Sequence, residues 1–216
     1  ELVRDCLAHF FLDARDLRPF DDLMSGDFLK EVFATTKVLN GVGDMERWYS
    51  MLDNPGFYQA LKDRVELRFA HTNRSYFRAG DPVSLELDVK NVSTLLVKVF
   101  EINALNYFLA HGREVDSSID LDGLVASEEQ THHYDDPPVR RVRRSFGFPS
   151  LARPGLFVVE FIGGGVSSRA LIRKGRLRCL ERVGSAGHVF TLLDEDRRPL
   201  ADATLWLGGR EYRPEQ

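Results

Sequence analysis

Two hydrophobic rhythms divide the chain. Up to residue 63, apolar side chains recur every three or four positions. Leu2, Cys6, Leu7, Phe10 and Phe11 form one set, and Phe28, Leu29, Val32, Phe33 and Thr36 a second. That spacing lines one face of an α-helix. Ser25-Gly26-Asp27 marks the start of the second helix, with Asp27 placed to cap free backbone N–H groups. Asn40-Gly41-Val42-Gly43-Asp44 breaks the pattern. A third run through Trp48, Tyr49 and Leu52 stops at the turn sequence Asp53-Asn54-Pro55-Gly56, and a short fourth carries Phe57 and Leu61. Residues 1–63 therefore read as a helical N-terminal segment.

From Arg64 the period falls to two. Val65, Leu67 and Phe69 alternate with Glu66 and Arg68, and Val83, Leu85, Leu87 and Val89 alternate with Ser84, Glu86, Asp88 and Lys90. This is the pattern of half-buried strands. Leu95 to Ile102 is more continuously apolar, as a central strand would be. Further alternations run through Phe157, Val159 and Phe161, then Ala170 and Ile172, Phe190 and Leu192, and Leu205 and Leu207. Short strands separated by Gly, Pro and Asp turns, with no helices between them, predict a mainly β chain folded as an antiparallel β-sandwich. Between Gly112 and Arg144 the pattern weakens. Asp116, Asp120, Asp122, Glu128 and Glu129 lead to Asp135-Asp136-Pro137-Pro138 and then to Arg140, Arg141, Arg143 and Arg144. We read this stretch as a long solvated connection holding one or two short strands.

Composition narrows the classes. With 216 residues, 43% hydrophobic and 29% charged, the chain suits one large domain or two small ones. A formal net charge of −4 argues against nucleic acid as a partner. No apolar run reaches the ~20 residues of a membrane span. Glu1-Leu2-Val3-Arg4-Asp5 carries charges where a signal peptide needs an apolar stretch, and the chain starts without Met and stops at Pro214-Glu215-Gln216. These features suggest a piece of a longer protein and leave its localisation open. Cys6 and Cys179 read as two separate thiols, with a disulfide between them as the alternative.

Three stretches together resemble the macroglobulin-type β-sandwich of the alpha-2-macroglobulin and complement family. Tyr76-Phe77-Arg78-Ala79-Gly80-Asp81-Pro82-Val83 is similar to that family's aromatic–Arg–Pro–Gly–acid opening, with Ala79 where Pro is usual. Arg153-Pro154-Gly155-Leu156-Phe157-Val158-Val159 resembles the entry into a late strand. Asp194-Glu195-Asp196-Arg197-Arg198-Pro199-Leu200-Ala201-Asp202-Ala203-Thr204-Leu205 looks like the hairpin that opens the next such domain. Gly80 and Gly155 are expected to supply turn conformations. The resemblance implies a macroglobulin/immunoglobulin-like sandwich over 64–175 and the start of a second, or its edge strands, over 176–216. The family's Cys-Gly-Glu-Gln thioester is missing, since Leu follows Cys6 and Leu180-Glu181 follow Cys179. No bait region is recognisable.

The candidates for chemistry are weak. His132 and His133, as neighbours on a strand, would face opposite sides and so not share a metal. Asp116 to Gly123 fails the calcium-loop register in both frames that start on Asp116 or Asp120. Gly163-Gly164-Gly165 reads as a hairpin turn and not a phosphate cradle. Serines 84, 145 and 150 carry no nucleophile signature. We therefore expect no catalytic, cofactor-binding or metal-ligating residue and no enzyme activity. Arg140, Arg141, Arg143 and Arg144 are the candidate partner-binding residues, unless nearby acids neutralise them. The expected function is a structural and interaction module of a larger macroglobulin-like protein. It would present surfaces to proteases, to other domains of the parent chain or to another protein, and an open strand edge would favour self-association. The alternative is a transthyretin-like or carbohydrate-binding sandwich of a surface protein, for which Tyr107, Phe108 and Tyr134 are the aromatic candidates.

Overall fold

The computed structural model describes residues 2–52, 54–185 and 187–214. Four helices come first: α1 (Leu2–Asp13), α2 (Gly26–Asn40), α3 (Met45–Ser50) and α4 (Pro55–Asp63). Their apolar faces meet around Phe11, Leu29, Phe33 and Trp48, which make edge-to-face ring contacts from Phe11 to Phe33 (5.2 Å) and from Phe33 to Trp48 (5.4 Å). Such packing is what stabilises helices this short. Asp27 does not cap α2. Ser25 holds the cap position without a side-chain bond, and Asp27 is solvent-facing, 3.9 Å from Lys30. Asp44 and Asn54 do cap α3 and α4; Asp53, also assigned to that turn, lies outside the described residues.

The sandwich consists of two sheets. β1 (Glu66–Phe69), β3 (Ser84–Lys90) and β6 (Arg141–Gly147) form an antiparallel three-stranded sheet in the order β1-β3-β6. The other sheet has the order β2-β8-β7-β4-β5, from β2 (Tyr76–Phe77), β4 (Thr94–Ile102), β5 (Glu128–His133), β7 (Gly155–Gly163) and β8 (Val166–Lys174). Its pairings are antiparallel except β2 with β8. Leu85, Leu87, Leu95, Val97 and Phe161 fill the space between the sheets and are at most 1% exposed. Gly164 and Gly165, with φ of 57° and 80°, make the two-residue β7–β8 turn expected for the glycine run. Gly80 and Gly155 differ from expectation, because neither has a left-handed φ. Gly155 is instead required by closeness: a Cβ there would come within 2.9 Å of the Phe157 ring.

Two features correct the sequence reading. A helix does interrupt the strands: α5 (Ala104–His111), started by the Asn103 side chain, which accepts from Asn106 N–H at 2.9 Å. It was not legible because it presents no buried stripe; Tyr107 packs inward while Leu105, Phe108 and Leu109 face solvent. The stretch after it is also not simply solvated. Val115, Ile119 and Leu121 are buried against Phe100, Ile102 and Val158, on the outer face of the five-stranded sheet. That sheet is covered on both sides, which explains why β7 is buried continuously from Phe157 to Phe161, with Glu160 as the one charged residue in that run.

Residues 176–214 form two hairpins, β9 (Arg178–Gly184) with β10 (Gly187–Leu193) and β11 (Leu205–Leu207) with β12 (Arg210–Tyr212). All of β9 and β12 is exposed.

Candidate interaction surfaces

The outer face of the three-stranded sheet carries a charge ladder. Strand register sets Glu66 beside Lys90 and Lys90 beside Arg141, and one step along sets Arg68 beside Asp88 and Asp88 beside Arg143. Opposite charges across neighbouring strands attract at this spacing, as Glu66 does Lys90 and Asp88 does both Arg68 and Arg143, while Lys90 and Arg141 are like charges that share the Glu66 carboxylate as their counter-charge. The helices cover the first of these rows. Glu66 is 7% and Lys90 1% exposed, so the alternation that seemed to put them in water puts them in the seam between helices and sheet. Arg141 donates to Glu66 Oε2 from Nε (2.9 Å) and Nη2 (2.5 Å), and Arg64 also pairs with Glu66. Lys90 Nζ donates to the carbonyls of Lys62 (3.3 Å) and Arg64 (2.5 Å), at the end of α4. Burial lowers the Lys90 pKa, against the pull of Glu66. An ion pair between Arg68 and Asp5 (3.1 Å) and the packing of Val139 against the helical core complete the seam.

The four arginines thus do not form one free patch. Arg143 grips Asp88 through two bonds of 2.8 and 2.9 Å at the exposed end of the ladder. Arg144 lies on the opposite face of β6, pairs with Asp136 and stacks 3.7 Å over the Tyr134 ring, closing the side of the sandwich. Arg140 rests against Gly41, where an added Cβ would fall 0.7 Å from its guanidinium. The neutralising acids come from distant strands as well as from the neighbouring Asp136. His132 and His133 do face apart: His132 packs edge-on to Phe146 and His133 meets Thr94. Asp116 and Asp120 accept local N–H groups from Ser118 and Asp122 as turn caps. Of the aromatic candidates, Tyr107 is part of a buried cluster and Tyr134 is covered by Arg144, while Phe108 is exposed. Cys6 and Cys179 are exposed free thiols. Among the described residues, no three His, Cys, Asp or Glu side chains come together as a metal site, and no helix is long and apolar enough to cross a membrane.

A second surface lies where residues 176–214 meet the sandwich. A cleft of about 770 Å³ is lined by Phe108, Val115, Pro154 and Leu156 on one side and by Leu177 and the Asp194–Asp196 turn on the other. Glu195, which no local signal in the sequence distinguished, accepts hydrogen bonds there from Tyr76 and from Ala79 N–H.

Two stretches of the chain match known families. Residues 1–65 match the family model of the actin-binding protein F N-terminal domain, and residues 95–175 that of the first immunoglobulin-like domain of AbpF. Actin-binding protein F of Dictyostelium discoideum is 37% identical over 214 residues, which is 98% of this chain and 9% of that protein's length. A solved structure of native alpha-2-macroglobulin from Escherichia coli, spanning domains MG0-NIE-MG1, aligns with a TM-score of 0.42 and 11% identity over 65% of this chain and 48% of that one. The expected β-sandwich stands, as an immunoglobulin-like one. Over nearly its whole length the chain is similar to one stretch of actin-binding protein F, its helical part like that protein's N-terminal domain and residues 95–175 of its sandwich like the first immunoglobulin-like domain.

Proposed function

We propose that this chain is a non-catalytic structural and protein-interaction module of a larger actin-binding protein. The observation that carries the reading is the 37% identity that runs through helices, sandwich and hairpins alike. Physical features support it. The buried ladder fastens the helical segment to the sandwich as a base. Leu105, Phe108 and Leu109 of α5 and Leu180, Val183 and Val189 of the β9–β10 hairpin leave apolar area free for protein contacts. Neighbouring domains and the actin filament are the partners in this reading. Proteases, the partners the macroglobulin motifs implied, have nothing in their favour beyond that motif resemblance. Co-sedimentation with filamentous actin tests it. The chain should pellet saturably with filaments at 0.05 M and, more weakly, at about 0.15 M salt. A chain that stays in the supernatant at every filament concentration removes actin as a direct partner of this segment.

A further inference from the structure

Residues 176–214 meet the sandwich through two neighbouring carboxylates, of which Glu195 makes the more buried contact. Glu195 belongs to the turn after β10, which is braced from within. Asp194 Oδ1 accepts the N–H groups of Asp196 (2.9 Å) and Arg198 (2.8 Å), and Asp194 N–H donates to the Arg198 carbonyl (2.9 Å). The braced turn aims Glu195 back at β2. Its Oε1 accepts the Tyr76 hydroxyl, while its Oε2 accepts Ala79 N–H at 2.9 Å and lies 3.9 Å from Arg78 Nε. Beside it, Asp196 Oδ1 accepts from Arg78 Nη2 at 2.6 Å. The Glu195 side chain is 16% exposed although its turn is polar. The Tyr76 hydroxyl first, and then the Ala79 N–H, hold its pKa below the usual carboxylate value.

The tether between the two units is short. β8 ends at Lys174 and β9 begins at Arg178, with Gly175 at φ 80° between them. A few residues of this kind can absorb a rotation of one unit against another. We propose that Glu195 is a junction clamp: it holds residues 176–214 in one orientation against the β2 edge of the sandwich, and its release turns residues 175–177 into a hinge. Two further features follow from the clamp. β2 is a two-residue edge strand, and the docked turn shields it. The cleft takes its walls from both units, so its shape depends on the clamp being closed.

Trypsin cleavage after Arg176, read by mass spectrometry on the 216-residue chain, tests this with circular dichroism recorded alongside. Glu195→Ala removes a charged acceptor from two hydrogen-bond donors and an ion-pair partner, so opening of the tether, and with it cleavage, should rise at least about tenfold while the β signal is retained. Tyr76→Phe keeps the ring and removes one donor; it should raise cleavage by about threefold or more, and it decides the question if Glu195→Ala fails to fold. Cleavage of the folded variants within about twofold of the unaltered chain would overturn the clamp.

Discussion

Arg141 and Arg143 stand two positions apart on one strand face, yet their environments separate them. Arg141 pairs with a carboxylate whose side chain is 6% exposed, whereas Arg143 is itself 54% exposed. Removing one partner of a buried pair strands the other without water, while a surface pair has solvent as a substitute. Arg141→Ala should therefore cost about 3 kcal/mol of unfolding free energy, and Arg143→Ala about 0.5–1 kcal/mol. Urea denaturation of the two variants measures both, and equal losses would mean that the Glu66 end of the ladder is as wet as the Asp88 end. The sequence displayed these arginines as a run. Their partners Glu66 and Asp88 lie 75 and 55 residues earlier, so the pairing itself could not be read locally.

At the scale of elements, the period-two pattern of β3 predicted its strand and its core face. It did not reveal that the other face is half covered. Lys90 looked like a solvent-facing residue; folded, it closes the end of α4 by donating to two carbonyls. Lys90→Met fills similar volume but leaves those carbonyls buried without a donor, and should cost about 2–4 kcal/mol. Hydrogen exchange is the suitable measurement. Amides of α4 should lose protection first, and uniform protection in the variant would show that the helices dock without Lys90. The helix α5 escaped notice for the opposite reason. With Tyr107 as its main inward contact, eight residues carried too little amphipathic signal.

Across the whole molecule, the part beyond Gly175 is the exception to good burial. Val183 is 72%, Leu177 66% and Val189 58% exposed, and among the described residues no third strand joins the β9–β10 ribbon, whose only further pairing is at the end of β10, where Leu193 bridges Pro199. A two-stranded ribbon is marginal by itself and its edges accept further strands. Isolated in solution at high concentration, the chain should therefore self-associate through these hairpins. Sedimentation velocity over a hundredfold concentration range checks this; a monomer throughout would show that the edges are protected.

The sequence by itself determined the change from helical to strand period, the sandwich, the positions of most strands and the turn that carries Glu195. Each of these is written in spacings of a few residues, where hydrophobic periodicity and turn chemistry act. Tertiary structure alone decided which polar side chains would be buried. Glu66, Lys90 and Arg141 became a seam, and Glu195 a contact with Tyr76 119 residues away, because distant segments met over them. Whether a charge lies in water or in a junction depends on what folds over it, and no local pattern contains that information.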